Sequence, residues 1–414
     1  MKTIMLPALA GAMLLCAANV HAADTAGDLR TALAATKPII DLRLRMEDVD
    51  QDGVADEAHA ITLRARLGFE TGKWGDTALL VEGEGIVPLR DDYRPDSAVA
   101  KKTNFPVVAD PEAYEINRLQ LTNTSLPGTT ITLGRQRIGL DDQRFIGGSA
   151  WRQDEQTFDA LRIVNKSIKN LTLDATYLDQ VNRVNGPDSP QGRYHGDGVL
   201  LNAGYQTNVG KITAFGYLLD FDSIVGVPAA VRDSTSTYGL RFAGDRPVGK
   251  VKLSYAASYA TQSDYADNPL SFDLDYLAGE FGATFNQFSA AIGTERMEGN
   301  GVKGFTTPLG TLHKFNGWVD KFLTTPPNGL VDDYVNLGAT FKKVAALDSL
   351  GLIVSYHDYE AEHISADYGN EWDLSLAAKW KRTTLLLKYG DYEQGALATA
   401  RNTQKLWAQV EFVW

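Results

Sequence analysis

Apolar and polar residues alternate with a period of two along most of this chain. The first such run places Ile40, Leu42, Leu44 and Met46 on one face and Asp41, Arg43, Arg45 and Glu47 on the other. The next sets Ile61, Leu63, Ala65, Leu67 and Phe69 against Thr62, Arg64, Arg66 and Glu70. Successive side chains of an extended strand point to opposite sides, so each run reads as a strand with one apolar face. The same reading recurs at Leu171/Leu173/Ala175/Tyr177, Val199/Leu201/Ala203/Tyr205, Phe215/Tyr217/Leu219 and Tyr238/Leu240/Phe242. It continues through Val251/Leu253/Tyr255/Ala257/Tyr259, Phe272/Leu274/Tyr276, Val335/Leu337/Ala339/Phe341, Trp372/Leu374/Leu376/Ala378/Trp380 and Leu385/Leu387/Tyr389. The final stretch, KLWAQVEFVW from Lys405 to Trp414, puts Leu406, Ala408, Val410, Phe412 and Trp414 on one parity and Trp407, Gln409 and Glu411 on the other. Alternation leaves the register open at Ile131–Arg137 and Glu280–Arg296.

In water such apolar faces would need a second layer to cover them. In a membrane barrel they meet lipid, and the charged faces meet the lumen. Tyr, Phe and Trp gather near the strand ends, as interfacial girdles require. About 18 antiparallel strands of roughly ten residues are expected, an even number within the range of bacterial barrels. The connections support this. Short links at 71–76, 123–128, 165–170, 208–210, 244–250 and 381–383 alternate with long ones at 88–113, 179–197, 220–233, 298–329 and 392–404. Short periplasmic turns and long extracellular loops are the outer-membrane pattern, and both termini then fall on the periplasmic side. A soluble sandwich or propeller has no reason to sort its loops by length.

The barrel is expected over 38–414. Residues 23–37 read as a periplasmic lead-in, where Leu29 and Leu33, four apart, suggest one or two helical turns. Residues 1–22 read as a secretory signal peptide: Lys2, an apolar run from Ile4 to Val20, then His21 and the small Ala22. The single cysteine, Cys16, lies in that leader, so an exported chain would carry no disulfide. Elsewhere there is no apolar run of the roughly 18 residues a membrane helix needs. The bacterial outer membrane is the expected location. The formal charge is −12, more negative by one once Lys2 is removed, which argues against nucleic acid as a partner.

Three segments are more specific. They are RMEDVDQDGVADEAHAITLRARLGF from Arg45 to Phe69, GRQRIGLDDQRFIGGSAWRQDEQTFDALRI from Gly134 to Ile163, and GFTTPLGTLHKFNGWVDKFLTTPPNGL from Gly304 to Leu330. Together they resemble the alginate-export family of outer-membrane β-barrels, along essentially the whole mature chain. The resemblance implies a monomeric barrel of about 18 strands whose charged lumen conducts a polysaccharide or another small solute.

Charges on the lumen parity are the main candidate chemistry. Arg43, Arg45, Arg64 and Arg66, from two adjacent strands, form a positive ladder on one wall. Arg118, Arg162, Arg135 and Arg137 extend it. Acids on the facing parity are Glu82, Glu84, Asp159, Asp273, Asp275, Glu371, Asp373 and Glu411. Fixed charge in a narrow pore selects the sign of the solute, and guanidinium suits carboxylate, so an anionic saccharide or small anion is the expected partner. The same arginines could instead pair with the acids and hold the wall together. Thr311–Leu323 has Leu312, Phe315, Val319, Phe322 and Leu323 at helical spacing between prolines. A short amphipathic helix there would fold into the mouth as a constriction, bringing Lys314, Trp318 and Lys321 to the pore, or else cap the rim.

No metal, cofactor or catalytic residue is assigned. Asp48–Asp56 starts like a calcium loop but has His59 where Glu is required, and reads as an acidic hairpin loop. His357–His363 lacks zinc-site spacing and reads as a solvated strand end and loop. None of the six histidines sits in a nucleophile motif. An enzymatic barrel and a purely structural or adhesive one remain the competing classes. Lipid, lipopolysaccharide and, through the C-terminal strand, the barrel-assembly machinery are the other expected partners.

Overall fold

The computed structural model describes residues 25–98, 101–224, 227, 229–396 and 400–414, so the leader reading lies outside the described residues. Eighteen antiparallel strands form one sheet. Each strand pairs with its neighbours in sequence, and β1 (Lys37–Gln51) pairs with β18 (Thr403–Val413) to close the cylinder. Closure leaves no sheet edge, which lets a strand cross lipid without orphaned backbone groups. Among the described residues no helix is long and apolar enough to cross a membrane. At the seam Arg43 lies opposite Glu411 and Leu44 opposite Val410, and the Trp414 amide donates to the Ile40 carbonyl at 2.9 Å.

Outward positions carry Leu42, Leu44, Leu63, Leu67, Leu240, Ile292, Leu337 and Leu387, all exposed. Exposed aromatics form two girdles. Trp74, Phe285, Phe288, Trp380 and Trp414 lie towards the short turns, and Tyr114, Tyr238, Tyr259 and Trp372 towards the long loops. On the short-turn side α1 (Thr25–Ala34) leads into β1. Its contact runs through the buried Ala32, whose carbonyl accepts from the Gly72 amide at 3.0 Å, while Leu29 and Leu33 are exposed.

Two apolar runs face the other way from the expected side. Phe215, Tyr217 and Leu219 of β9 (Gly210–Phe221) are buried inside the barrel, as are Leu274 and Tyr276 of β12 (Asp273–Phe285) and the adjoining Phe272. Consequently Asp273 and Asp275 point outward and do not join the lumen acids. The reason is a second hydrophobic core inside the cylinder. Phe145, from the loop between β5 (Thr129–Gln136) and β6 (Thr157–Asn165), sits 4.9 Å from Phe215 and 5.2 Å from Tyr276. Phe305, from the loop between β13 (Phe288–Met297) and β14 (Leu330–Val344), sits 5.4 Å from Tyr276. Where loops fill the lumen, both faces of a strand become apolar, and parity alone cannot orient it.

Trp414 also lies under the Arg382 guanidinium, 3.6 Å from its ring centroid. Trp414→Ala is expected to lower the amount of heat-modifiable, folded barrel in outer membranes while leaving single-channel conductance unchanged. Unchanged folded protein on semi-native gels would place the assembly determinant elsewhere.

Candidate functional site

Among the described residues the lumen is occupied by three long loop segments: 93–98 with 101–112, 137–156 and 298–329. Residues 137–156, part of the family-like segment Gly134–Ile163 but not among the expected long connections, form the central one. Arg43, Arg45, Arg64 and Arg66 all face inward and are almost fully buried. They do not form a free positive wall. Arg43 pairs with Glu411 at 2.6 Å, Arg64 with Asp41 at 2.5 Å, Arg45 with Asp110 at 3.4 Å, and Arg66 with both Glu84 and, at 3.3 Å, Glu155. In three of them the remaining N–H groups grip the inserted loop. Arg43 donates to the carbonyls of Ala150, Trp151 and Arg152, Arg45 to that of Trp151, and Arg66 to that of Gln153.

The four other candidate arginines are likewise paired. Arg118 reaches Glu82 at 2.6 Å, Arg135 reaches Asp159 at 2.7 Å, Arg137 reaches Glu155 at 2.5 Å, and Arg162 reaches Asp174 at 2.5 Å. Arg43, Arg45 and Arg66 therefore clamp the inserted loop to the wall, while Arg64, Arg118, Arg135 and Arg162 tie strand to strand. Lys or Arg in a lumen is visible as parity; which carbonyls it holds is not, because the loop comes from a hundred residues away.

The 298–329 loop docks on the 137–156 loop through a short backbone bridge. The Gly147 amide donates to Leu309 at 2.8 Å, and the Thr311 amide donates to Gln143 at 2.9 Å. Arg144 crosses the lumen to Glu295 of β13 at 2.7 Å. The expected helix over Thr311–Leu323 is absent. Only Leu312–Lys314 is helical, as a single 3₁₀ turn. Gly317, at φ +78°, breaks the run, and a side chain there would collide with Tyr359 and Glu371. The amides that helix formation would have used bond to β16 (Asp367–Trp380) instead, Val319 to Glu371 at 2.7 Å and Trp318 to Asp373 at 3.1 Å. Gly390 on β17 (Thr383–Gln394) admits this approach, since a Cβ there would lie 2.8 Å from a Val319 methyl.

At the meeting point of the two loops and the wall sits a compact charged knot. Arg152 bridges Glu47 at 3.2 Å and Asp320 at 2.6 Å. Lys388 donates to His313 Nε2 at 2.6 Å, so His313 gives its Nδ1 proton to Asp320, 2.7 Å away. The Lys388 ammonium lies over Trp318 at 3.7 Å and Trp151 at 4.2 Å, with Trp407 at 5.4 Å. Burial pushes the Asp320 carboxyl up, but His313, Lys405 and Arg152 outweigh it and hold it well below the usual carboxylate range. Burial, aided by the Lys405 charge, pushes the Lys321 ammonium down to about 7.

In the stretch His357–His363, expected to be solvated, Asp358, Glu360 and His363 are exposed, but His357 faces the lumen. His357 is buried on β15 (Leu347–Glu360), with Nδ1 2.9 Å from Asp332. At the acidic hairpin, Asp48 meets His59 at 2.9 Å. Asp50 and Asp52 border a small cavity of about 230 Å³ with Asp391 and Glu393. A third acidic group, Glu84, Glu115 and Asp154, is the one set among the described residues whose ligand atoms converge tightly enough for a cation.

The lumen is left open along the opposite wall. A cavity of about 510 Å³ lies against β11 (Val251–Asp264) through β15, where inward Ser254, Ala256, Ala278, Ser289, Ala291 and Ser355 are small and Glu280, Asp332, Tyr334 and His357 also project into it. Its other side is the inserted loop, presenting Lys314, Phe315 and Trp318. Lys314 is exposed, and its ammonium donates to the Asp142 carbonyl at 2.8 Å. Among the described residues it has no carboxylate within 4.0 Å. Arg241, also on the cavity, pairs with Asp142 at 2.8 Å.

A closed barrel with a lipid-facing apolar band and a polar, loop-constricted lumen defines a bacterial outer-membrane protein of porin-like architecture. Over residues 29–287 the sequence matches the model of the alginate export family, and the chain belongs to that family. No curated protein sequence matches it. Among solved structures it is similar to Pseudomonas aeruginosa OpdK with vanillate, at 14% identity and a TM-score of 0.69, covering 92% of this chain and 99% of that one. Acinetobacter baumannii OccAB3 gives 14% identity and a TM-score of 0.70, covering 92% and 99%. Pseudomonas aeruginosa OccK9 (OpdG) gives 16% and 0.68, covering 92% and 100%. At these identities the likeness is one of fold.

Arg152→Ala should leave Glu47 and Asp320 buried with reduced compensation, costing the docked loop state about 3–5 kcal/mol. The expected result in planar bilayers is a larger, flickering conductance; an unchanged trace would show that the knot does not hold the loops. Lys321 does not line the cavity of about 510 Å³; its ammonium donates to the Gln51 side-chain oxygen at 3.0 Å. Because burial disfavours its charged form, the docked loop should be less stable below about pH 7 than above it, read as more frequent flicker in planar bilayers as pH falls from about 8 to about 6. Lys321→Gln should flatten that dependence.

Proposed function

We propose that this protein is a selective outer-membrane channel for small carboxylate-bearing solutes, which pass between the inserted 298–329 loop and the β11–β15 wall. The observation that carries this reading is the exposed, carboxylate-free Lys314 beside Phe315 and Trp318 on a cavity of about 510 Å³. That volume suits a single small molecule. An ammonium next to ring faces offers charge to a carboxylate and stacking to a planar body. The vanillate with which OpdK was solved is an aromatic carboxylate of this kind. The arginine ladder contributes indirectly, by holding the loop that presents Lys314.

A polysaccharide is the second reading, favoured by the family to which the chain belongs. A polyuronate carries the same carboxylates but needs an unobstructed thread, whereas loops 137–156 and 298–329 cross the lumen. A structural barrel would not conduct at all.

Reversal potentials in a salt gradient across a planar bilayer distinguish these. Anion preference in the wild type, lost or inverted in Lys314→Glu, is expected, with benzoate-like carboxylates reducing the current in a concentration-dependent way. Cation preference in the wild type, or current block only by oligouronates, would overturn the small-carboxylate reading. Absence of conductance would favour the structural one.

A further inference from the structure

Glu84 of β3 (Thr77–Asp92), Glu115 of β4 (Ala113–Asn123) and Asp154 of the 137–156 loop bring carboxylate oxygens within 4.8 Å of one another. Three acids meeting inside a barrel repel one another unless something offsets them. The neighbouring guanidiniums are already committed. Arg66, Arg118, Arg135 and Arg137 each have a principal carboxylate partner, in Glu84, Glu82, Asp159 and Glu155. Glu115 and Asp154 are the surplus: among the described residues Asp154 forms no ion pair, and Glu115 has Arg135 at 3.9 Å, which is shared with Asp159, and the more distant Arg193.

Asp154 supplies a second and independent observation. It is completely buried, and neither of its carboxylate oxygens accepts a hydrogen bond. Glu84 uses one oxygen on Arg66, and its Oε1 is also buried without a partner. A buried carboxylate with no donor on either oxygen is costly, and its oxygens converge on those of Glu84 and Glu115.

We infer that Glu84, Glu115 and Asp154 form a divalent-cation site, selective for calcium, that clamps the 137–156 loop to the β3–β4 wall. An all-oxygen, carboxylate-rich set suits a hard cation. One oxygen from each acid lies within 4.8 Å of the others, inside the reach of a single cation whose calcium–oxygen distances are about 2.3–2.6 Å. Magnesium dehydrates reluctantly and usually keeps several waters, which a buried set of protein carboxylates disfavours. Two positive charges also cancel the local surplus. The site differs from the Asp50/Asp52 hairpin, which is an exposed rim feature.

The test uses full-length protein refolded in detergent and stripped with a chelator. Equilibrium dialysis against radiolabelled calcium should give one tight equivalent per chain, bound at least about tenfold more weakly by magnesium. Asp154→Asn and Glu115→Gln should each abolish that equivalent while retaining heat-modifiable folded barrel. Asp50→Asn/Asp52→Asn should retain it. Glu115 lies on the wall rather than in the inserted loop, so its variant serves should Asp154→Asn fail to fold. Absence of tight calcium in the wild type would overturn the site, since the acids would then be sharing protons. Binding that survives Asp154→Asn and Glu115→Gln, or that disappears with Asp50→Asn/Asp52→Asn, would overturn it equally.

Discussion

The constraint on which everything else rests is that an eighteen-stranded cylinder is too wide to be filled by side chains pointing inward from its own wall. Something must occupy the lumen, and here it is backbone from three loops. Inserted backbone carries carbonyl groups that need donors, and guanidinium supplies several donors in a fixed fork. This explains why the inner face of β1 and β2 (Ala58–Glu70) is so rich in arginine. Arg43 alone takes a carboxylate and three loop carbonyls at once. The acids on Asp41, Glu84 and Glu411 then offset the charge that such a concentration of donors brings.

Networks of this type contribute less to net stability than to uniqueness. Desolvating an ion pair offsets most of its Coulombic attraction, but breaking one half leaves a buried charge and is strongly unfavourable. The loops therefore have few alternative resting places: a shift by one residue would strand Asp320, Arg144 or Arg152 without a partner. The aromatic cluster of Phe145, Phe215, Tyr276 and Phe305 supplies the non-directional part of the same docking. Charge sets the register of the plug, and apolar burial supplies adhesion.

Much of the cylinder was legible in the sequence because lipid imposes a strict rule on every second residue. The strand number, the alternation of short and long connections and the seam at Lys405–Trp414 all follow from it. Legibility failed where that rule stops. At Phe215–Leu219 and Leu274–Tyr276 the lumen is itself apolar, so an apolar parity no longer means outward. At Thr311–Leu323 the helical spacing of Leu312, Phe315, Val319 and Phe322 reflects burial on several sides of an irregular loop, and Gly317 and the β16 carboxylates draw the backbone out of helix. For the lumen itself, parity identified arginines such as Arg43 and Arg66 as inward. It could not show that they are engaged, nor that Lys388, Arg152 and His313 are neighbours, because those contacts join segments far apart in the chain.

The knot around Arg152 depends on closure of the cylinder. Its members come from the first strand (Glu47), the middle of the chain (Arg152 and Asp320) and the last two strands (Lys388 and Lys405). No subset contiguous in sequence contains a complete set of partners. Until β18 pairs with β1, Glu47 and Lys405 are not held side by side, so the full set of partners around Arg152 and Asp320 exists only in the closed barrel.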